Sequence, residues 1–129
     1  WKKKLNMPIN FRPKFFPPSD VSKASCMILS LQDSEKQNNL SFLLLQYVWV
    51  EEKDIGDENN LIKACAYLDI NFEELLKKSD EKLEYYYSLA EKAAASNIFG
   101  SPTYVIDGEI FWGQDRLDML EDYIKEIIK

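Results

Sequence analysis

Asp107-Gly108 joins two β-rich segments, "TYVID" and "EIFW", near the end of the chain. An Asp-Gly pair tolerates the positive φ angles of a two-residue turn, so the flanking segments are expected to fold back as an antiparallel hairpin. Gly113 ends the second strand, and Asp115 can cap a last helix. In that helix Leu117, Leu120, Ile124, Ile127 and Ile128 fall on one face. The hairpin rules out an all-helical fold and fixes the last thirty or so residues as strand, strand, helix.

Upstream the period changes. "WKKKLN" reads as the end of a helix, and "MPINFRP" (Met7–Pro13) as a short extended segment that its two prolines keep from being helical. "FFPPSD" is a turn offering Ser19 as an N-cap. Val21, Ala24, Met27, Ile28 and Leu31 then recur at three- and four-residue steps, an amphipathic stripe that would face a core. A second helix, roughly from Glu35 to Glu51, is almost wholly apolar after Leu40 and is expected to be central. Asp57 can cap a helix through Tyr67, Asn71 a short helix "FEELLKK", and Ser79 or Asp80 a longer one ending near Ser96. The order is an α+β plan, a helical block inserted between the strands of one small sheet.

Composition narrows the function classes. With 129 residues the chain is one domain or a piece of one, and 46% apolar with 13% aromatic residues is a globular balance. Sixteen basic against 22 acidic residues give a net charge of −6, which disfavours a nucleic-acid surface. "LSFLLLQYVWV" is too short to span a bilayer, so no membrane partner is expected. The chain has no histidine, so imidazole metal sites and Ser-His or Cys-His dyads are excluded within it. Cys26 and Cys65 match no CxxC or metal spacing and are expected to be small buried residues in a reducing cytoplasm, with no metal site.

The closing segment, "NIFGSPTYVIDGEIFWGQDRLDML", carries the chemistry. Pro102 at a strand entry cannot donate to a ladder. A cis Ser101-Pro102 bond would turn the main-chain groups of Ser101 toward an extended, peptide-like ligand, and an ordinary trans proline is the equal alternative. A helix starting near Gln114 has unpaired N–H groups that favour a carboxylate, while Asp115 could hold an ammonium group. Together these suit the amino-acid terminus of a short peptide. The alternative is that Asp115 only caps its helix and Arg116 pairs with Asp118 or Glu121. "YYY" (Tyr85–Tyr87) cannot all face one core, so at least one tyrosine is expected at the surface, where a homodimer contact is one option.

"FGSPTYVIDGEIFWGQDRLDMLEDYI" resembles the C-terminal signature of 2-hydroxychromene-2-carboxylate isomerases, grouped with kappa-class glutathione transferases in the DsbA-like branch of the thioredoxin superfamily. "FLLLQYVWVEEKDIGDENNLIKACAYLDINFEELL" looks like that family's helical insertion, and "WKKKLNMPINFRPKFFPP" like the helix end and strand before it. The resemblance implies a thioredoxin-like, DsbA-type fold. Residues 1–18 and 98–129 would belong to its thioredoxin-like part and residues 19–97 to the insertion. It implies glutathione as cofactor, with Ser101 and cis Pro102 at its cysteinyl main chain. Trp112, Gly113, Gln114 and Asp115 would lie at its γ-glutamyl end. The co-substrate would be a small aromatic or conjugated molecule. It further implies that the family's first strand, its active-site helix and the Ser or Cys that meets the sulfur lie upstream of Trp1. Ser19, Ser22, Ser25 and Ser101 match other positions, so no catalytic residue is expected in this chain and catalysis is expected of the parent protein. A DsbA-like thiol–disulfide oxidoreductase with an upstream CxxC, and a non-catalytic truncated binding module, are the alternatives.

Overall fold

The computed structural model describes residues 2–128. Its elements are α1 (Lys2–Leu5), α2 (Ser22–Ser30), α3 (Ser34–Trp49), α4 (Glu58–Tyr67), α5 (Phe72–Asp80), α6 (Leu83–Ala95), β1 (Thr103–Ile106), β2 (Glu109–Trp112) and α7 (Leu117–Ile127). They form two compact units, residues 1–87 and 88–129.

In the first unit α2 packs on α3 and α5, and α4 packs on α3 and α5. Ala24 and Met27 of α2, Leu40, Leu44 and Tyr47 of α3, Leu61 and Cys65 of α4, and Leu75 of α5 close one core. The expected α2 stripe therefore does face a core, although Val21 at its start is exposed. In α3 the buried side is narrower than its composition suggests. Phe42 and Leu45 point to solvent, because an uninterrupted apolar run covers all sides of a helix and only one side meets neighbours.

Side-chain caps set most helix starts. Asp33 accepts from the main-chain N–H groups of Glu35 and Lys36, Asp57 from Asn59, and Asn71 from Glu74. Two expected starts are corrected. Ser19 caps nothing: α2 begins at Ser22 after Val21, and the Ser19 N–H donates instead to Asp54 Oδ1 (3.1 Å). Ser79 and Asp80 close α5, and α6 begins at Leu83.

"WKKKLN" does end a helix, α1, with Trp1 outside the described residues. The strand expected at Met7–Pro13 is also corrected. That segment has no ladder partner among the described residues, and Asn10 instead donates its N–H and its Nδ2 to the carbonyls of Trp49 and Val50 (2.7 and 3.0 Å). Its prolines remove donors that a ladder needs. Of the three tyrosines, Tyr85 and Tyr87 are exposed.

The second unit contains the hairpin. β1 and β2 pair antiparallel, Thr103 opposite Trp112 and Ile106 opposite Glu109, around the Asp107-Gly108 turn with both φ angles positive. α7 packs on β2, with the Phe111 and Tyr123 rings 5.6 Å apart. No described residue of α7 is buried. The stripe expected to face a core is largely open, Leu117, Ile127 and Ile128 most of all.

Candidate functional site

At the open end of the hairpin, Ser101, Trp112, Gly113, Gln114, Asp115 and Arg116 line a cleft of about 320 Å³. Five of the six residues expected at the site thus meet in one place. The sixth, Pro102, supports it from behind: its carbonyl accepts the Gly113 N–H at 3.0 Å and extends the hairpin pairing by one step. The Ser101-Pro102 bond is cis. The Phe16-Pro17 bond is cis as well. Among the described residues, no backbone group pairs with the Ser101 N–H or C=O, so both are free for a ligand.

The far wall is built by a sharp turn. Gly113 has φ +112°, a conformation that L side chains rarely adopt, and a Cβ there would stand 2.5 Å from Asp115 Oδ1. The carboxylate of Asp115 therefore folds back over a glycine that must be a glycine. The Arg116 N–H closes the turn on the Gly113 carbonyl at 3.2 Å.

The expected helix start is corrected here. α7 begins at Leu117, its N-cap position is Arg116, and no side chain caps it. Asp115 is thus not spent as a cap, which removes one alternative left open above. The uncapped first turn keeps its N–H groups and the positive end of the helix dipole available to an anion. The pairing of Arg116 with Asp118 or Glu121 is also absent among the described residues. Glu121 bonds Lys125 at 2.6 Å, and Arg116 Nη1 reaches only Met119 Sδ at 3.7 Å. An acceptor, a cation without a carboxylate partner among the described residues and an open helix start therefore line one small cleft.

Three contributors escaped the sequence reading. Arg116 lines the cleft beside Asp115. Phe99 meets the Trp112 ring edge-on at 5.0 Å. Gly100 lies directly against Trp112 Nε1. A glycine ahead of Ser-Pro signals a close approach of some kind, but the partner, twelve residues along the chain, appears only once the hairpin register is known.

Two other features hold no comparable set. A cavity of about 370 Å³ in the helical unit is lined by Asp33, Asn71 and Lys78, among others. Their polar atoms are engaged in capping α3 and α5 and in the Lys78–Glu74 pair (2.6 Å). Cys26 and Cys65 are both buried with free thiols. Burial pushes Cys26 up and Cys65 up to about 11, so neither is a ready thiolate near neutral pH. Among the described residues no group of acidic or cysteine side chains could hold a metal, and no helix is long and apolar enough to cross a membrane.

This combination of a helical block, a proline-led hairpin and a closing helix defines a thioredoxin-type class. A family model of the DSBA-like thioredoxin domain matches residues 1–125, and the chain belongs to that family. Its curated relatives include a 2-hydroxychromene-2-carboxylate isomerase from Sphingobium xenophagum. The two are 27% identical over 126 residues, covering 96% of this chain and 63% of the relative. A solved selenomethionine structure of a 2-hydroxychromene-2-carboxylate isomerase shares the fold, with a TM-score of 0.76 and 22% identity over 99% of this chain and 62% of the other. The chain thus spans less than two thirds of either protein's length.

Proposed function

We propose that this chain carries the peptide-gripping part of a glutathione site in an isomerase of the 2-hydroxychromene-2-carboxylate type. The observation that carries the reading is the single cleft joining the unpaired main-chain groups of Ser101 to Asp115 and the uncapped start of α7. The donor set suits glutathione. Ser101 can pair in strand fashion with the cysteinyl main chain. Asp115 can accept the γ-glutamyl ammonium group, and the first turn of α7 can receive the neighbouring carboxylate. A cleft of about 320 Å³ has the size of a small-ligand site.

Bound glutathione would supply a thiol(ate) that adds reversibly to a conjugated double bond, lets the former double bond rotate, and leaves again. The residues of this chain would orient that tripeptide and hold its sulfur at a fixed place, which converts an encounter between two solutes into a step within one complex. No nucleophile for the reaction is assigned to this chain. The residue meeting the sulfur is expected in another part of the protein. The co-substrate is proposed to be a small aromatic or conjugated molecule, and the compartment the cytoplasm.

The DsbA-like family match favours a second reading, a thiol–disulfide oxidoreductase. The burial of both cysteines speaks against these thiols as its redox pair.

Calorimetric titration of glutathione into the protein, with and without Asp115→Ala, tests the proposal. Removing a charge-assisted bond to the ligand is expected to weaken binding about tenfold or more. Unchanged affinity in Asp115→Ala, or no binding by the unaltered protein, defeats the assignment.

A further inference from the structure

The unexpected neighbour of the cleft is Gly100. Its φ is not in the positive range, so no turn requires a glycine there. What requires it is space. A Cβ on residue 100 would run into Trp112 Nε1, with Cε2 and Cδ1 of the same indole 3.0 and 3.2 Å away. The Nε1 edge of the indole therefore lies against bare main chain. Its remaining freedom is limited by the Phe99 ring, 5.0 Å from it edge to face. The main chain beneath is pinned too, because Thr103 Oγ1 donates to the Gly100 carbonyl at 2.5 Å. Trp112 and Ser101 line the same cleft, and Gly100 is joined directly to Ser101.

We propose that Gly100 is a positioning residue for the cleft: by carrying no side chain it seats the Trp112 indole, and the seated indole sets the distance from that wall to the ligand-pairing groups of Ser101. A methyl group at residue 100 has to displace either the indole, which opens the wall, or the main chain, which moves Ser101. Both routes degrade the same cleft, since a Cβ so close to Trp112 Nε1 cannot be accommodated without a shift of one or the other. The consequence for glutathione rests on the reading above, whereas the seating of the indole does not.

The test has two arms on the full protein. In the first, fluorine NMR of fluorotryptophan-labelled protein follows the Trp112 resonance, assigned by its loss in Trp112→Phe. Gly100→Ala is expected to shift that resonance and to make it more accessible to a soluble paramagnetic probe. In the second, glutathione affinity is measured for the unaltered protein, Gly100→Ala, Trp112→Phe and the double variant. Gly100→Ala is expected to bind about tenfold more weakly. In the double variant the smaller Phe ring leaves room for the methyl, so Gly100→Ala is expected to cost less than twofold on the Trp112→Phe background.

An unmoved Trp112 resonance overturns the inference, and so does an equal loss on both backgrounds, which would mark a purely local backbone effect. If the unaltered protein binds no glutathione, the functional reading falls and the NMR arm alone decides on Gly100. Should Gly100→Ala fail to fold, recovery of folding and of binding in the double variant supports the inference, and failure of the double variant as well overturns it.

Discussion

In the helical unit Leu40, Leu61, Ala64 and Cys65 have no exposed surface at all, whereas from residue 88 to 128 not one described residue is buried. The contrast does not come from composition. α7 is more amphipathic than α2 to α6, and the hairpin is rich in apolar side chains, yet Leu117, Ile127, Val105 and Ile110 remain open. The helical unit keeps its shape by burial, worth about 1.5–3 kcal/mol for each fully buried aliphatic side chain. The C-terminal unit keeps its shape by the hairpin ladder, one glycine turn and short side-chain contacts such as Phe111 on Tyr123. The candidate site sits on the second kind of scaffold. Its geometry depends on backbone conformation more than on a core.

The largest test of that difference is truncation. Leu61→Ala is expected to destabilise the helical unit by about 3 kcal/mol, because it deletes a fully buried side chain that the core cannot refill. Ile124→Ala, on the half-buried face of α7, is expected to cost about 1 kcal/mol or less. Urea denaturation of the two variants measures both. Equal costs would break the comparison.

A pair of glycines sharpens it. Gly108 has φ +88° with nothing near a built Cβ, so Gly108→Ala is expected to cost about 1 kcal/mol of stability and leave ligand affinity unchanged. Gly113→Ala meets the same kind of backbone penalty and also drives a methyl into Asp115 Oδ1. It is expected to lower glutathione affinity severalfold, measured by calorimetry beside the stability change. Matching effects of the two substitutions on affinity would show that Asp115 is not seated by Gly113.

A smaller effect belongs to a long-range loop clamp of the helical unit. Asp54 Oδ1 accepts the main-chain N–H groups of Gly56 (2.9 Å) and Ser19 (3.1 Å). The Gly56 bond first, and then Ser19, lower the Asp54 pKa from its ordinary value of 3.8. A carboxyl with a depressed folded pKa stabilises above the unfolded value, and loses that contribution as pH falls through the folded one. Stability of the helical unit is therefore expected to decline as pH drops below 3.8 toward the lowered value. Asp54→Ala should remove that part of the decline together with about 1 kcal/mol at neutral pH. Circular dichroism melts across the acid range check the slope, and the C-terminal hairpin should not share it.

Much of the fold was legible because its signals are local. Asp57 and Asn71 cap where they stand, and Asp107-Gly108 turns where it stands, since each acts on main-chain groups two or three residues away. Ser19 misled for the complementary reason. Its N–H is held by Asp54, thirty-five residues on, and a cap preference of about 1 kcal/mol yields to such a clamp. In the site, residue chemistry pointed to Ser101, to the helix start near Gln114 and to Asp115, and the family resemblance added Trp112.

The sequence by itself determined the periods, the turn and the acid-base run after the hairpin, because propensity and turn chemistry act over a few bonds. Tertiary structure alone decided that Asp115 is free rather than a cap, that Arg116 faces the cleft without a carboxylate partner among the described residues, and that Gly100 lies under Trp112. Those outcomes depend on where α7 begins and how β1 registers on β2. Such long-range geometry is set by the sum of many weak contacts, which no short stretch of residues encodes.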